Sequence, residues 1–328
     1  MKKNNSFLKS YKNLRVLITG TTGFKGAWLS FWLNKIGAKV IGIALKPEKN
    51  SILFKSLKLD KKIQQYYFDI TNFKKLNEII KLKKPDIIFH LAAQSIVSNS
   101  FKDPLNTFKT NILGSANVLE SFRINKIPSL VYITSDKCYL NLDKKKEYKE
   151  TDILGGIDNY SSSKASAEII FSSYFNSYFA KEKNISLVSV RAGNVVGGGD
   201  MKANRIVPDV VKSLVNGKRL ILRNPKATRP WQHVLEPLSG YLLVGHKLIN
   251  KQLKNNVLPS WNFGPKTINC KNVEFITKMI LNNWKKPNFK FSIEDKKNYH
   301  ESKFLSLNIG KAKKELNWEP RLNLVETF

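Results

Sequence analysis

Leu14-Arg-Val-Leu-Ile-Thr-Gly20-Thr-Thr-Gly23-Phe-Lys-Gly26-Ala-Trp-Leu29 predicts a strand, a glycine-rich turn and a helix, in that order. The apolar residues 16–18 indicate a buried strand, and we expect the helix to run to about Ile36, before Gly37 ends it. Such glycines permit a tight turn, close approach of a pyrophosphate and close packing of helix on strand, and the helix N-terminus favours phosphate charge. Taken alone, the G-x-x-G-x-x-G spacing is also compatible with an ordinary glycine-rich turn.

Strand-like runs recur after this unit, separated by segments long enough for helices. The runs are residues 39–44, 65–68, 86–91, 129–134 and 185–190. Helical spacing follows Thr71, and Pro104 begins a long amphipathic stretch toward Asn125. This alternation predicts an α/β fold with a Rossmann-type doubly wound parallel sheet over residues 1–190. The pattern loosens after about Arg191, which predicts a smaller lobe over residues 191–328, with some segments returning to the first domain.

Composition limits the classes of function. The 328 residues carry a net charge of +31, which first suggests nucleic acid or an anionic membrane surface. However, 48 of the 56 basic residues are lysines spread along the chain, so we expect solvated charges and no specific nucleic-acid partner. The sequence has no membrane-length apolar run and no signal-like N-terminus, which favours a cytoplasmic protein without a membrane partner. Cys138 and Cys270 have no metal-ligand spacing, so we expect no metal.

The few arginines are concentrated. Five of the eight fall in the second lobe, at Arg191, Arg205, Arg219, Arg223 and Arg229. Because the guanidinium fork suits bidentate phosphate recognition, this concentration suggests a bound diphosphate or nucleotide. Chance clustering and a structural role for one or two of them are the alternatives.

Tyr160-Ser-Ser-Ser-Lys164 places a phenol and an ammonium four residues apart at the head of a predicted helix. Residues at i and i+4 share a helix face. A cation beside the tyrosine is expected to lower the pKa of the phenol, so that the phenolate acts as a general base on a sugar or alcohol hydroxyl. Without its context, the pair is equally typical of a solvated helix surface.

Thr134-Ser-Asp-Lys-Cys-Tyr139 follows a predicted strand, where side chains line the ligand crevice of an open parallel sheet. Ser135 could bond a reacting hydroxyl, Asp136 could donate a proton and Lys137 could accept one. A strand-to-loop turn with solvated charges is the alternative for the isolated triplet.

Together these residues resemble the extended short-chain dehydrogenase/reductase superfamily. More narrowly, they resemble the CDP-glucose 4,6-dehydratases within it, from about residue 11 to the C-terminus. The motifs that carry this resemblance are the turn at residues 19–26, Leu91-Ala-Ala-Gln94-Ser95, Thr110-Asn111, the segments 134–139 and 160–164, Arg191-Ala-Gly-Asn194-Val-Val-Gly-Gly-Gly-Asp200, and the long segment 223–240.

The resemblance implies an NAD-binding domain at residues 1–190 and a lobe mainly for the nucleotide sugar at 191–328. The implied cofactor residues are Gly20, Gly23, Phe24, Lys25, Gly26, Asp69, Ile70, Ala92, Ala93, Asn111, Tyr160 and Lys164. The implied substrate residues are Gln94, Ser95, Asn194, Arg205 and Arg229. Ser135, Asp136, Lys137, Tyr160 and Lys164 would be catalytic. The implied enzyme is a homo-oligomer, a dimer or tetramer, that acts in deoxysugar biosynthesis for the lipopolysaccharide O-antigen.

The implied reaction is an internal redox cycle on CDP-glucose. Tyr160 removes the C4 hydroxyl proton while C4 gives its hydride to NAD, Lys137 removes the C5 proton, and Asp136 protonates the leaving C6 hydroxyl. Return of the hydride to C6 gives CDP-4-keto-6-deoxyglucose. Lysine is a base only when it is neutral, so the pKa of Lys137 must be lowered.

Two features depart from the similar proteins. The second strand ends at Gly42-Ile-Ala-Leu-Lys46, without the acidic residue that usually binds the NAD ribose, which leaves cofactor affinity and the choice of NAD or NADP open. Similar proteins also continue through a helix beyond Phe328. Another nucleotide-sugar dehydratase or epimerase is the alternative within the superfamily, and a non-catalytic basic NAD-binding or nucleic-acid-binding protein is the alternative outside it.

Overall fold

The computed structural model describes residues 6–48, 51–184, 186–222, 224–254, 259–293 and 304–328. Within these ranges a parallel sheet of seven strands forms the centre of the molecule, in the order β11-β6-β5-β4-β1-β2-β3. The sheet strands are β1 Arg15–Thr19, β2 Lys39–Ala44, β3 Gln64–Tyr67, β4 Ile87–His90, β5 Leu130–Ile133, β6 Leu187–Ala192 and β11 Ser260–Phe263. This is the expected doubly wound parallel sheet.

Short strands form three two-stranded pairings outside the main sheet, in the same described part of the chain. They are β7 Val195–Val196 with β10 Gln232–His233, β9 Thr228–Pro230 with β12 Cys270–Asn272, and β8 Leu220–Leu222 with β13 Phe291–Ile293.

Helices connect these strands. Those of the first half are α1 Phe24–Lys35, α2 Ile52–Ser56, α3 Phe73–Lys83, α4 Val97–Lys102, α5 Pro104–Phe108, α6 Ser115–Ile124 and α7 Asn159–Tyr174. The others are α8 Ile206–Asn216, α9 Leu235–Ile249, α10 Val273–Asn283 and α11 Leu324–Thr327. No helix among the described residues has both the length and the apolar character needed to cross a membrane.

The observed strands differ from the predicted ones by at most two residues at either end. The third strand is residues 64–67 and not 65–68, and the strand predicted from Ile185, which lies outside the described residues, runs from Leu187 to Ala192. The helical stretch from Pro104 is interrupted by a π-helical segment, Lys109–Gly114, between α5 and α6. Such segments often occur at functional sites.

Two main hydrophobic clusters divide the interior. The larger one fills both faces of the central sheet, and the smaller one gathers Val210, Leu222, Trp231 and Ile276 around the short strands of the C-terminal half. Because β11 joins the central sheet beside β6, one segment beyond residue 191 packs with the first half of the chain. The domain boundary near residue 190 stays a prediction.

Candidate active site

A cleft of about 720 Å³ opens at the carboxyl ends of the central strands. Its wall contains most residues that the motifs predict for the site: Gly20, Gly23, Phe24, Lys25, Gly26, Asp69, Ile70, Ala92, Ala93, Ser95, Ser135, Asp136, Lys137, Tyr160, Lys164, Asn194, Arg205 and Arg229. The carboxyl edge of a parallel sheet is where ligands bind in this architecture. The cleft therefore brings the glycine turn, the Tyr-Lys pair and the Ser-Asp-Lys turn together.

The glycine turn leaves no room for side chains. Gly20 has a φ of +82°, and a Cβ there would lie 2.8 Å from the backbone nitrogen of Ala92. A Cβ on Gly26 would lie 2.0 Å from the carbonyl oxygen of Gly20, so the first turn of α1 packs directly on the turn after β1. Because α1 begins at Phe24, its N-terminal amides are presented at the cleft, where they favour a phosphate.

Helix α7 presents the phenol and the ammonium from its first turns. Asp158 caps the helix, because its Oδ1 accepts hydrogen bonds from the backbone N–H groups of Tyr160 and Ser161, each at 2.9 Å. Tyr160 and Lys164 are both buried, one helical turn apart, and both face the cleft. The i, i+4 spacing thus gives the shared face that the sequence predicts.

The expected lowering of the Tyr160 pKa is wrong for the protein without ligands. Burial raises the pKa of Tyr160 to about 12, and the opposing hydrogen bond comes from Ser135 and not from Lys164. Burial also lowers the pKa of Lys164 to about 8, against the nearby Cys138 and Glu168. Desolvation penalises the charged form of both side chains and is the largest cause of both pKa shifts.

The Ser-Asp-Lys turn follows β5. Ser135 begins a short 3-10 helix, Asp136–Cys138, and its hydroxyl donates to Oδ1 of Asp136 at 2.9 Å. Burial raises the pKa of Asp136, although the charges of Lys137, Lys25 and Arg229 and the hydrogen bond from Ser135 oppose the shift. A carboxyl group with a raised pKa is suited to hold and donate a proton.

The cleft is positively charged around this carboxyl group. The pKa of Lys25 is lowered to about 8, mainly by burial and also by the charges of Arg205 and Lys164, while the charge of Asp136 opposes the shift. Lys25 lies on the first turn of α1, beside the glycine turn. These cations share one wall with Arg229, so the cleft can neutralise the charges of a diphosphate.

The arginines of the second half that the structure describes have different environments. Arg205 forms an ion pair with Asp200 at 2.8 Å and donates a hydrogen bond to the hydroxyl of Ser95 at 3.4 Å. Arg229 is buried in the cleft wall, where its Nη1 donates to the carbonyl of Thr228. Arg219 is exposed outside the cleft, and Arg223 lies outside the described residues. Arg191 has the structural role that the sequence allows for one or two of the five, because it is buried in an ion pair with Glu168.

Gln94 and Asn111 do not line the cleft. Asn111 lies in the π-helical segment, where its side chain bonds the backbone of Gln94 in both directions and donates to Ser163 at 2.9 Å. The side chain of Gln94 bonds Ile96 and Thr107. Both side chains tie the loop after β4 to the α5–α7 layer, so they support the cleft from behind.

Glu168 is a buried residue that the motifs do not single out. It lies four residues after Lys164 and eight after Tyr160, and its carboxylate bonds Thr134, Ser189 and Arg191. The repeated i+4 spacing on the face of α7 that carries the predicted base is the sequence signal that could have found it. Among the described residues, no group of three or more metal-ligating side chains occurs.

Comparison with known proteins identifies a family model that matches this chain. The family model for GDP-mannose 4,6 dehydratase matches residues 17–328. The chain is 41% identical over 323 residues to a CDP-glucose 4,6-dehydratase of Salmonella typhimurium, which covers 97% of this chain and 89% of that protein.

Solved structures show the same fold. A dTDP-glucose 4,6-dehydratase from Bacillus anthracis in complex with NAD superimposes with a TM-score of 0.81 at 23% identity, over 96% of this chain and 94% of that one. A UDP-glucose 4-epimerase from Thermotoga maritima with UDP-glucose gives 0.82 at 21% identity, over 96% of each chain. These similarities confirm the Rossmann-type fold.

Proposed function

The chain belongs to the nucleotide-sugar dehydratase family that the GDP-mannose 4,6 dehydratase model describes, and from this premise we propose that it dehydrates CDP-D-glucose to CDP-4-keto-6-deoxy-D-glucose with NAD as cofactor. One observation carries the proposal. Ser135, Asp136, Lys137, Tyr160 and Lys164 meet in one cleft beside a glycine turn shaped for a pyrophosphate. The 41% identity to the Salmonella enzyme supports CDP-glucose as the substrate.

NAD fits the residues present. The turn of Gly20, Gly23 and Gly26 offers bare backbone, a side chain at Gly20 or Gly26 would collide with neighbouring backbone, and the N-terminus of α1 faces the same space. Asp69 and Ile70 would meet the adenine, Ala92 and Ala93 would flank the cofactor, and Lys164 would reach the nicotinamide ribose; all five residues line the cleft. When bound there, NAD supplies a hydride acceptor for C4 and, once reduced, the donor for C6.

Tyr160 removes the proton of the C4 hydroxyl as the phenolate, which requires its pKa to lie lower in the complex than in the ligand-free protein, and Ser135 bonds the same oxygen. The C4 ketone that forms acidifies the hydrogen on C5. Lys137 removes that proton, and Asp136 protonates the C6 hydroxyl, which leaves as water. Burial raises the pKa of Asp136, which favours this donation. In this scheme Arg205, Arg229, Ser95 and Asn194 hold the nucleotide diphosphate.

The test is turnover of CDP-, dTDP-, UDP- and GDP-glucose in parallel, with NAD present. A dehydratase gives a 4-keto-6-deoxy product that absorbs in alkali, whereas an epimerase gives a C4 epimer without that absorbance. Tyr160→Phe serves as the matched control, because it should lose C4 oxidation while NAD binding stays nearly intact. Absence of the alkaline chromophore with all four sugars would refute the proposal, and a preference for another base would correct the substrate.

We also propose that the enzyme is a homo-oligomer, a dimer or tetramer. In support, α5–α7 expose Leu105, Leu113 and Ile169 by 79%, 50% and 56% on packed neighbouring helices. A location in the cytoplasm, where nucleotide sugars and NAD are available, and a place in deoxysugar biosynthesis for the lipopolysaccharide O-antigen belong to the same proposal. Light scattering on the purified protein tests the oligomeric state.

A further inference from the structure

A buried ion pair lies behind the catalytic residues, outside the set assigned above. Arg191 on β6 donates from Nη2 to Oε2 of Glu168 on α7 at 2.8 Å, and the two side chains are 3% and 1% exposed. Burial alone raises the pKa of Glu168, but the charge and hydrogen bond of Arg191 and the hydroxyls of Thr134 and Ser189 bring it below its usual value. The carboxylate is therefore ionised, and the pair is a real charge pair in the interior.

Each partner of the pair holds one flank of the Ser-Asp-Lys turn. Glu168 accepts a hydrogen bond from the hydroxyl of Thr134, the residue immediately before Ser135. Arg191 donates from Nη1 to the hydroxyl of Tyr139 at 2.8 Å, and its guanidinium lies 5.0 Å from the centre of that ring. Tyr139 is the residue immediately after the short 3-10 helix at Asp136–Cys138. The turn is thus held at both ends by the two members of one ion pair.

One partner of the pair, Glu168, lies on the helix that carries the predicted base, Tyr160. Glu168 lies on the rigid helix α7 with Tyr160 and Lys164, one turn further along. Tyr139 is fixed further by a 2.7 Å hydrogen bond from its hydroxyl to Asn262 on β11 and by stacking on Tyr148. Contacts from the pair therefore run from the helix that carries Tyr160 to both sides of the turn that carries Asp136 and Lys137.

We propose that the Arg191–Glu168 pair is a positioning device that sets the Asp136–Lys137 turn against the Tyr160–Lys164 helix, and that elimination depends on it more than C4 oxidation does. This inference rests on the proposed function. The base of C4 oxidation, Tyr160, is on the helix, and the turn contributes only the hydrogen bond of Ser135 to that step. Elimination requires Asp136 and Lys137 to meet C6 and C5 of a sugar whose C4 oxygen is held by Tyr160, so it depends on the distance between turn and helix. Neither Arg191 nor Glu168 touches the reacting atoms.

The first experiment replaces the whole pair. Removing one partner would leave an unpaired buried charge, whereas a double change to apolar side chains of similar size is often tolerated. The double variant Glu168→Leu with Arg191→Met leaves Tyr139 bonded to Asn262 and Ser189 bonded to Ser260. We expect KM and NAD binding close to wild type, and a loss in the elimination rate of up to about 100-fold, the size of effect that a misplacement of about 1 Å can have. C4 oxidation, followed as a single-turnover burst of reduced-nicotinamide absorbance, should change much less, and C5 exchange with solvent deuterium should fall with elimination.

A milder variant covers the case in which the double variant does not fold. Tyr139→Phe keeps the ring in its stack and removes the hydroxyl, which accepts from Arg191 and donates to Asn262, so it should show the same selective loss at smaller size. Arg15→Met is the matched control, because its pair with Asp86 is exposed and lies outside the cleft. Its ratio of elimination to oxidation should equal that of the wild type.

The outcomes separate the two proposals. If the wild-type protein dehydrates none of the nucleotide sugars, the proposed function is wrong. If it dehydrates CDP-glucose and Tyr139→Phe and the folded double variant keep the wild-type ratio of elimination to oxidation, the ion pair has no positioning role. A parallel loss of both steps with raised KM would also overturn the inference, because it would mark the pair as a general support of the fold.

Discussion

Ser135 and Asp136 share one hydrogen bond, from the serine hydroxyl to Oδ1 of the carboxylate at 2.9 Å, while burial raises the pKa of that carboxyl group. In the proposed reaction Ser135 acts at C4 and Asp136 at C6. One short turn after β5 therefore carries groups for both ends of the reaction. This coupling means that the two roles are best separated by variants that change chemistry and preserve shape.

Arg229→Ala should weaken nucleotide-sugar binding by about 1.5–3 kcal/mol, the contribution of a hydrogen bond to a charged group. Arg229 is buried in the cleft wall, where a diphosphate would lie within its reach. Arg219→Ala is the control, since that side chain is exposed outside the cleft. Calorimetric titration with CDP measures both. An unaltered affinity in Arg229→Ala would place this arginine outside the substrate site.

Lys164 should contribute a rise in the stability of the NAD-free protein between pH 8 and 9.5, which is read as the difference in pH slope between wild type and Lys164→Met. Burial lowers its pKa from 10.5 to about 8 in the folded protein, so in this window the unfolded chain binds more protons than the native state. The free energy of unfolding then increases with pH, by at most about 1.4 kcal/mol per pH unit for one such group. Below pH 8 the lysine is charged in both states and its contribution no longer changes.

Denaturant titrations at pH 8 and 9.5 check this expectation. Lys164→Met should be more stable than wild type at pH 8 and should show a smaller rise with pH. Lys74→Met, which removes an exposed lysine of α3, should keep the wild-type rise. Equal pH slopes for wild type and Lys164→Met would show that Lys164 is not desolvated in the native state.

NAD should exchange with solution. The second strand ends at Ala44 and no acidic side chain follows until Glu48, whose carboxylate pairs with Lys202 at 3.1 Å. The usual partner of the ribose hydroxyls is therefore missing at the strand end. Purified protein should gain activity when NAD is added. Protein that arrives saturated and keeps its cofactor through dialysis would contradict this.

A carboxylate supplied at this strand end should tighten NAD binding. Leu45 lines the cleft and is 60% exposed, so Leu45→Asp adds a charge there without burying it. We expect the NAD concentration for half-maximal activity to fall about tenfold, the equivalent of one charged hydrogen bond. Leu82→Asp is the matched control, because Leu82 is exposed to a similar extent on α3 and lies outside the cleft.

The sequence predicts the parallel sheet and the residues that line the cleft better than it predicts their environments. Glycine spacing and the Tyr160–Lys164 interval are local rules, and the strand alternation is regular, so these features are readable without the fold. The burial of a side chain, in contrast, depends on the tertiary fold and not on its neighbours in the sequence. The desolvation that raises the pKa of Tyr160 comes from elements far apart in the chain, and spacing on one helix does not reveal it.

The arginines show the same limit. Arg191 and Arg205 lie close in sequence, but Arg191 is on β6 and faces Glu168 inside the protein, whereas Arg205 lies in the cleft wall. From the sequence alone, the two arginines are equally suited to bind a phosphate. The π-helical segment Lys109–Gly114 also escapes prediction, because the amphipathic pattern continues across it. The hydrogen-bond partners of Gln94 and Asn111 depend on how α5 to α7 pack together, which the sequence pattern does not show.

Lys137 and Asp136 should separate base from acid in the elimination step. If Lys137 removes the C5 proton, Lys137→Met should still oxidise C4, because that step uses Ser135 and Tyr160, and reduced-nicotinamide absorbance should accumulate with the 4-keto sugar. Exchange of the C5 hydrogen with solvent deuterium should fall sharply. Asp136→Asn keeps the shape of the turn but has no proton to donate, so it should retain C5 exchange and lose expulsion of the C6 hydroxyl. Mass spectrometry of recovered sugar in deuterium oxide reads both results. Wild-type C5 exchange in Lys137→Met would assign the base to another group and leave Lys137 a role in positioning the sugar.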